Sequence, residues 1–326
     1  MLATVADRSQ IAESRRLAAE CARRQGFDEQ ATARIALVAT EMATNLLKHA
    51  ERGEILINVP EHGGAPFLEL LSLDSGRGIA DIGEALRVGA SSAGTPGTGL
   101  GAIRRQSDEF AIWSRPERGT AVMARFGRKA NGSGVTLAAI AEPYRGETIC
   151  GDSWRFAATE AGPALLMVDG SGHGSLAAAA AASAGKAFLD GIGLAPVPQM
   201  EAIHRALAPT RGAAVAIARL DLGARLVRFV GIGNIGGALL TQDSVKRMVS
   251  HNGIAGHVAG RIREFTYPYE GKPTVILHSD GLSAKWDFAR YPGLAASHPA
   301  VIAGVLFRDH RRVKDDAAVL VLRVET

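Results

Sequence analysis

Cysteine is nearly absent from this chain. Its two residues, Cys21 and Cys150, form no C-x-x-C pair and no framework spacing, which excludes a disulfide-stapled scaffold and predicts a reducing compartment, the cytoplasm. Aromatic residues are also scarce, at 5%. The formal charge of +4 is spread along the chain without aromatic interleaving, so no nucleic-acid partner is expected. Long apolar runs are missing as well. The Ala-rich stretch from Leu176 to Ala184 is too short to cross a bilayer, and Asp7 and Arg8 arrive before a leader's apolar core can form, so neither a membrane anchor nor a signal peptide is expected.

The chain does have the material for two cores. At 326 residues, 47% hydrophobic and 21% charged, it exceeds the usual size of one core and predicts two folded domains. Apolar residues recur with helical period through Ile11, Leu17 and Cys21, and again through Ile35, Val38, Met42 and Leu46, with Gly26 between the two helices. Strand-like runs follow at 54–59 and 67–74, then a Gly/Ser/Thr-rich stretch at 89–101, a helix from about Leu100, and strands near 109–114 and 120–126. The segment Gly127 to Gly134 is polar, glycine-rich and without apolar period, so the expected boundaries are a first domain at 1–128, a linker at 129–135 and a second domain at 136–326. In the second domain, short β runs surround helices near 175–190, 198–208 and 295–307, the pattern of a sheet-on-sheet core flanked by helices.

Three motifs in the first domain share one chemistry. Glu41 and Asn45 stand four apart on a predicted helix and project from one face, a carboxylate able to act as a base and an amide oxygen able to meet a hard cation. Asp74 closes a strand and is followed by Gly76 and Gly78, where a ligand ring can approach the backbone and the carboxylate can accept from an exocyclic amine. Gly97-Thr98-Gly99-Leu100-Gly101 opens a helix, whose free N–H groups suit phosphates. In this order and spacing they resemble the N, G1 and G2 boxes of the GHKL ATPase family, and within it the short-lidded anti-sigma-factor serine kinases of bacterial partner switching. The resemblance covers about residues 5 to 128. It implies a helix-on-sheet sandwich that binds ATP and Mg²⁺, with Glu41 as general base, Asn45 as Mg²⁺ ligand, Asp74 on adenine, and residues 97–101 as the phosphate cradle. No phospho-acceptor histidine box precedes Glu41, and His49 reads as a packed or capping residue, so a histidine kinase is disfavoured.

The second domain carries aspartates at strand ends. Asp169-Gly170 and Asp280-Gly281 each follow an apolar strand, while Asp152 and the Asp315-Asp316 pair come from distant positions. Hydrolysing a phosphomonoester at neutral pH calls for hard cations to neutralise its oxygens and acidify a water, and hard cations take oxygen ligands. Together with Asp169-Gly-Ser-Gly-His-Gly174, these residues resemble the bacterial branch of the 2C-class metal-dependent protein phosphatases, the sporulation stage II type, from about 136 to 326. The resemblance implies an α/β/β/α two-sheet fold and two Mn²⁺ or Mg²⁺ ions. Asp169 would bridge them, the Gly170 carbonyl, Asp152 and Asp280 would be ligands, and Asp315 or Asp316 would be the last, Asp315 being favoured by motif offset. His173 is a candidate general acid. Cys150 stands where the family has glycine. Arg308, Arg311, Arg312 and Lys314 read as a solvated basic stretch, with phosphoprotein docking the alternative.

The chain is α+β, and the two resemblances together imply a bifunctional regulator that phosphorylates and dephosphorylates a serine or threonine of a STAS-domain anti-anti-sigma protein, with a sigma factor as a further candidate partner. The alternative is an ATP-holding, partner-docking module without kinase activity, fused to a serine/threonine phosphoprotein phosphatase. Glu41 favours the first, because nucleotide holding needs Asp74 and the glycines but no base.

Overall fold

The computed structural model describes residues 1–50, 52–59, 67–87, 99–127, 134–241, 244–312 and 314–325. The chain divides into two compact units, Met1–Gly132 with Phe288–Arg308, and Ser133–Asp287 with Asp309–Thr326.

In the first unit, β1 (Leu2–Val5), β2 (Gly53–Asn58), β3 (Phe67–Asp74), β4 (Glu109–Ser114) and β5 (Thr120–Gly127) form one antiparallel sheet in the order β1-β2-β3-β5-β4. Helices α1 (Ser9–Arg24), α2 (Glu29–His49), the short α3 (Ile82–Ala85) and α4 (Gly99–Gln106) complete its N-terminal part. Asp28 starts α2 by accepting the Ala31 amide on its carboxylate, which satisfies a donor the first turn would otherwise leave open. Ile35, Val38, Met42 and Leu46 then bury against Ile55, Ile57, Leu68, Leu70 and Phe126 of the sheet. The edge strand β1 was not expected from sequence, since four residues are too few to show a period.

A sheet packed on one face should read apolar and polar in alternation. This one does not. Leu56, Leu71 and Met123 stand side by side across β2, β3 and β5, on the face away from Leu68 and Leu70, and all three are buried.

The second unit is a sandwich of two five-stranded antiparallel sheets. It contains β6 (Val135–Glu142), β7 (Asp152–Thr159), β8 (Gly162–Gly170), α5 (Ser175–Asp190), α6 (Pro196–Leu207), β9 (Ala213–Asp221), β10 (Leu226–Ile232), β11 (Gly236–Leu240), β12 (Val245–Met248), β13 (Gly253–Ile254), β14 (Val258–Ala259), β15 (Phe265–Pro268), β16 (Thr274–His278) and β17 (Ala317–Val324). The orders are β15-β10-β9-β8-β7 and β12-β11-β16-β17-β6. Strand β8 explains the layering. Leu165 and Met167 join the core between the sheets, whereas Ala164, Leu166 and Val168 face α5 and α6, so the strand is apolar throughout because both of its sides are covered.

Residues 288–308 lie in the first unit, although the sequence reading places them in the second domain. The reason is the doubly apolar sheet. The Pro292 carbonyl accepts from Trp113 Nε1 and Arg115 Nε, each at 3.2 Å. In α7 (Pro299–His310), every residue from Pro299 to Phe307 is buried. Gly304 packs so closely that a Cβ there would stand 2.8 Å from the δ-methyls of Leu71 and Leu73. Arg308, read from sequence as part of a solvated basic stretch, donates to the Asp74 carbonyl at 2.6 Å. The expected linker at 129–135 falls mostly outside the described residues.

A fragment of residues 1–128 therefore leaves Leu56, Leu71 and Met123 in water. It is expected to bind a hydrophobic dye and to unfold several degrees below a version with 288–308 joined back by a flexible linker, because a buried side chain of this kind contributes about 1.5–3 kcal/mol. Equal melting temperatures and no dye binding would show that the segment adds nothing.

Candidate functional site

In the first unit, the three motifs meet at the C-terminal half of α2. Glu41 and Asn45 are half-buried on that helix. Gly99, the first residue of α4, sits directly against Asn45, and a Cβ on it would lie 2.7 Å from the Asn45 Oδ1, so a side chain there would displace the Asn45 amide. Leu100 packs against the unit's core, and Gly101 is buried. Gly97 and Thr98 lie outside the described residues. Asp74 ends β3 and accepts the Gly76 amide at 2.8 Å and the Thr120 amide at 3.2 Å, both on Oδ1. Burial raises its pKa above the ordinary carboxylate value, although those amides and Arg308 act against the shift. Gly76 touches the end of α2 at His49 and Ala50, and Gly78 has φ +69 with the Arg115 carbonyl where a Cβ would be. The turn after Asp74 thus depends on both glycines.

In the second unit, the sheets deliver two aspartates each to one rim. Asp152 opens β7 and is the cross-strand partner of Asp169 near the end of β8. Asp280 follows β16 and Asp315 precedes β17, and those two strands are paired. Asp280 lies near enough to Asp169 and to Asp315 for its charge, added to burial, to push both carboxyls up, and Asn234 Nδ2 donates to Asp280 Oδ2 at 2.6 Å. Asp315 and Asp316 separate by environment. Both oxygens of Asp316 are taken by backbone amides, those of Tyr144 at 2.6 Å and Gly151 at 3.0 Å, whereas the Asp315 side chain turns to the cluster.

Among the described residues, no three His, Cys, Asp or Glu side chains already converge as a finished metal-binding group. The donors nevertheless fit hard cations. Asp152 Oδ2 is buried without a hydrogen-bond partner. Burial first, and neighbouring carboxylates with it, raise the pKa of Asp152 and Asp169 well above the ordinary range. Carboxylates placed opposite one another repel unless protons or cations lie between them, and an all-oxygen set suits Mg²⁺ or Mn²⁺. Gly170 adds a close backbone approach, since a Cβ there would stand 2.3 Å from the Ala177 carbonyl. Cys150 costs the turn nothing: it is absent from the positive-φ residues, and Gly151 beside it holds the Gly170 amide at 3.2 Å. Burial and then Asp152 push the Cys150 thiol far up, so it stays protonated.

His173 is exposed on the loop after Asp169, with Nδ1 2.8 Å from Glu147 Oε1. Arg211 lies against the same loop, its Nη1 3.3 Å from where a Gly172 Cβ would be. Glu147, Arg211 and Asn234 were not singled out from sequence. Only Asn234 carried a usable signal, the glycine run Gly231-Ile-Gly-Asn-Ile-Gly-Gly237 around it.

Comparison with known families decides the second half. The family model described as Stage II sporulation protein E (SpoIIE) matches residues 159–325. The chain belongs to the stage II sporulation protein E family. Ahead of the region matched by that family, residues 4–126 match the histidine kinase-like ATPase domain. The serine/threonine-protein kinase RsbT of Bacillus subtilis (strain 168) is 33% identical over 114 residues, 35% of this chain and 86% of that protein. A solved structure from the bacterial stressosome, described as a modular system adapted to control secondary messenger signalling, is 26% identical with a TM-score of 0.53, covering 58% of this chain and 99% of its own. The structure of the PP2C phosphatase domain and a regulatory-domain fragment of SpoIIE from Bacillus subtilis shares the fold, with a TM-score of 0.50 at 16% identity over 97% of this chain and 93% of that one. This member of the family therefore joins a GHKL-type ATPase fold to a PP2C-type phosphatase fold. No helix among the described residues is long and apolar enough to cross a membrane.

The crowded carboxylates predict opposite effects on folding and metal binding. Asp152→Asn removes one charge from the cluster, so in chelator the variant is expected to melt several degrees above the parent. Added Mn²⁺ should raise the parent's melting temperature strongly and the variant's little. A parent indifferent to Mn²⁺, or a variant that melts lower in chelator, would contradict the assignment of the cluster.

Proposed function

We propose that this chain sets the phosphorylation of a serine or threonine on a STAS-domain anti-anti-sigma partner from both directions, the first unit adding phosphate and the second removing it. The observation that carries the reading is the pairing, in one chain, of an RsbT-like unit with a rim of four strand-end aspartates. In the first unit, Asp74 would accept from the adenine amine through Oδ2, since Oδ1 already serves two amides. Asn45 would hold Mg²⁺, Glu41 would take the proton from the attacking hydroxyl, and the 97–101 stretch would cradle the phosphates.

In the second unit, Asp152, Asp169, Asp280, Asp315 and the Gly170 carbonyl would hold two divalent cations, Mg²⁺ or Mn²⁺. Bound there, such ions neutralise phosphate oxygens and lower the pKa of a water. Asp169 has the central place in that set, being cross-strand to Asp152 and in reach of Asp280. Asn234 orients Asp280, and Asp316 holds the turn that carries Asp152. Arg211 suits a phosphate oxygen in the substrate, as an exposed guanidinium with no carboxylate partner among the described residues.

The test is to incubate the purified chain with candidate STAS proteins and labelled ATP, then to chase with Mn²⁺. Label should enter the partner before the chase and leave it during the chase, with release blocked by chelator. Glu41→Ala should abolish entry while keeping ATP affinity, and Asp169→Asn should abolish release. Chelator-resistant release would contradict the phosphatase site. Entry at the parental rate in Glu41→Ala would remove the kinase mechanism and leave the first unit as an ATP-holding docking module.

A further inference from the structure

Between two of the rim aspartates the chain leaves the second unit and returns to it. Asp280 and Asp315 both belong to that unit, yet residues 288–308, which lie between them in sequence, are part of the first. Both ends of this excursion are fastened. On the outward side, Arg247 Nη2 donates to the Trp286 carbonyl at 2.6 Å, and the guanidinium carbon lies 3.4 Å from the centre of the Trp286 ring. On the return, the Ser283 amide donates to the His310 carbonyl at 2.8 Å and the Arg312 amide to the Gly281 carbonyl at 2.7 Å, with Leu282 and Arg311 paired antiparallel between them. The residue beside Asp280 is thus held by the returning chain.

Within the first unit, the far end of the excursion reaches the residue read as the adenine contact. Arg308 Nη1 donates to the Asp74 carbonyl at 2.6 Å, while Asp74 Oδ1 accepts the Gly76 and Thr120 amides. Helix α7 then runs without a break from Arg308 to His310. Its backbone bonds make that last turn stiff, so a shift of Arg308 is carried to His310 and to the 281–283 pairing. Resting on the ATP-site and phosphatase readings above, we propose that α7 couples the two sites: nucleotide held at Asp74 keeps Arg308 on the Asp74 carbonyl, which keeps residues 310–312 on 281–283 and so sets Asp280 for a divalent cation. The coupling element has two states, its last turn fastened to Asp74 or released from it. Nucleotide and metal both favour the fastened state, so each binds more tightly when the other is present, and by the same factor. Phosphate removal thereby responds to adenine nucleotide.

The experiment follows hydrolysis of p-nitrophenyl phosphate by the full chain as free Mn²⁺ is raised in a metal buffer, which cancels chelation by nucleotide, with and without the β,γ-imido analogue of ATP. Amide exchange of 281–283 and 310–312 is read in parallel at fixed Mg²⁺. In the parent, the analogue should lower the half-saturating free Mn²⁺ at least about fivefold and slow exchange in both segments by a similar factor. Two variants cut the link. Arg308→Ala removes the donor, and a Gly-Gly insertion between Arg308 and Asp309 breaks the helix just after it. In both, the Mn²⁺ shift should fall below about twofold and exchange should no longer respond, while analogue affinity and the rate at saturating Mn²⁺ stay within about threefold of the parent. A parent whose Mn²⁺ requirement is unchanged or raised by bound analogue would overturn the proposal, as would a shift that survives in both variants. A parent that binds no analogue would remove the ATP-site reading, and the coupling with it. A parent that hydrolyses nothing at any Mn²⁺ concentration would remove the phosphatase reading, and again the coupling.

Discussion

Like-charge repulsion at one rim of the second unit is the constraint around which that unit is arranged. Antiparallel pairing sets Asp152 opposite Asp169, and the other sheet brings Asp280 and Asp315 to them. Nothing in hydrophobic burial favours that arrangement. It is opposed by desolvation and by Coulomb repulsion together. The fold tolerates it because the strands behind the rim are apolar on both sides and packed on both sides, and because Asn234 and backbone amides hold the acids in place.

Glycine supplies the complementary constraint. At Gly281 a Cβ would stand 1.8 Å from the Asp316 carbonyl, and at Gly151 it would stand 2.7 Å from the Asp316 carboxylate. The backbone around the acids is therefore close enough to exclude a side chain, and the Asp-Gly pairs visible in the sequence are packing requirements as much as turn formers. Gly99 against Asn45 does the same in the first unit. In both units the motif glycines mark places where main chain must approach a functional group.

Much of this was readable from the residues alone. Strands such as β8 and β16 are continuous apolar runs ending in Asp-Gly or Ser-Asp-Gly, and α2 carries its core face and its Glu41/Asn45 face in one periodic pattern. What escaped has definite causes. The strands β1 and β11 to β15 are short, and several lie at sheet edges where alternation is weak. Glu147 lies 26 residues from His173 in sequence, in a stretch that reads only as a turn. Asp316 could not be told from Asp315 by spacing, because the difference lies in which amides fold back onto it. The placement of 288–308 needed the observation that Leu56, Leu71 and Met123 form a second apolar face, a fact about sheet register and not about any one segment.

That placement bears on the chain's birth at the ribosome. Domains generally fold as they emerge, N-terminal first, at about 5–20 residues per second. Here the sheet of the first unit is complete in sequence by Gly127, but the cover for its second face ends at Arg308. At that pace, roughly ten to forty seconds separate the two. During that interval the nascent first unit keeps an uncovered apolar face, and it is finished only when nearly all of the second unit has also been made. A product truncated before Arg308 therefore carries neither unit whole, and the first unit is completed only with most of the second already made.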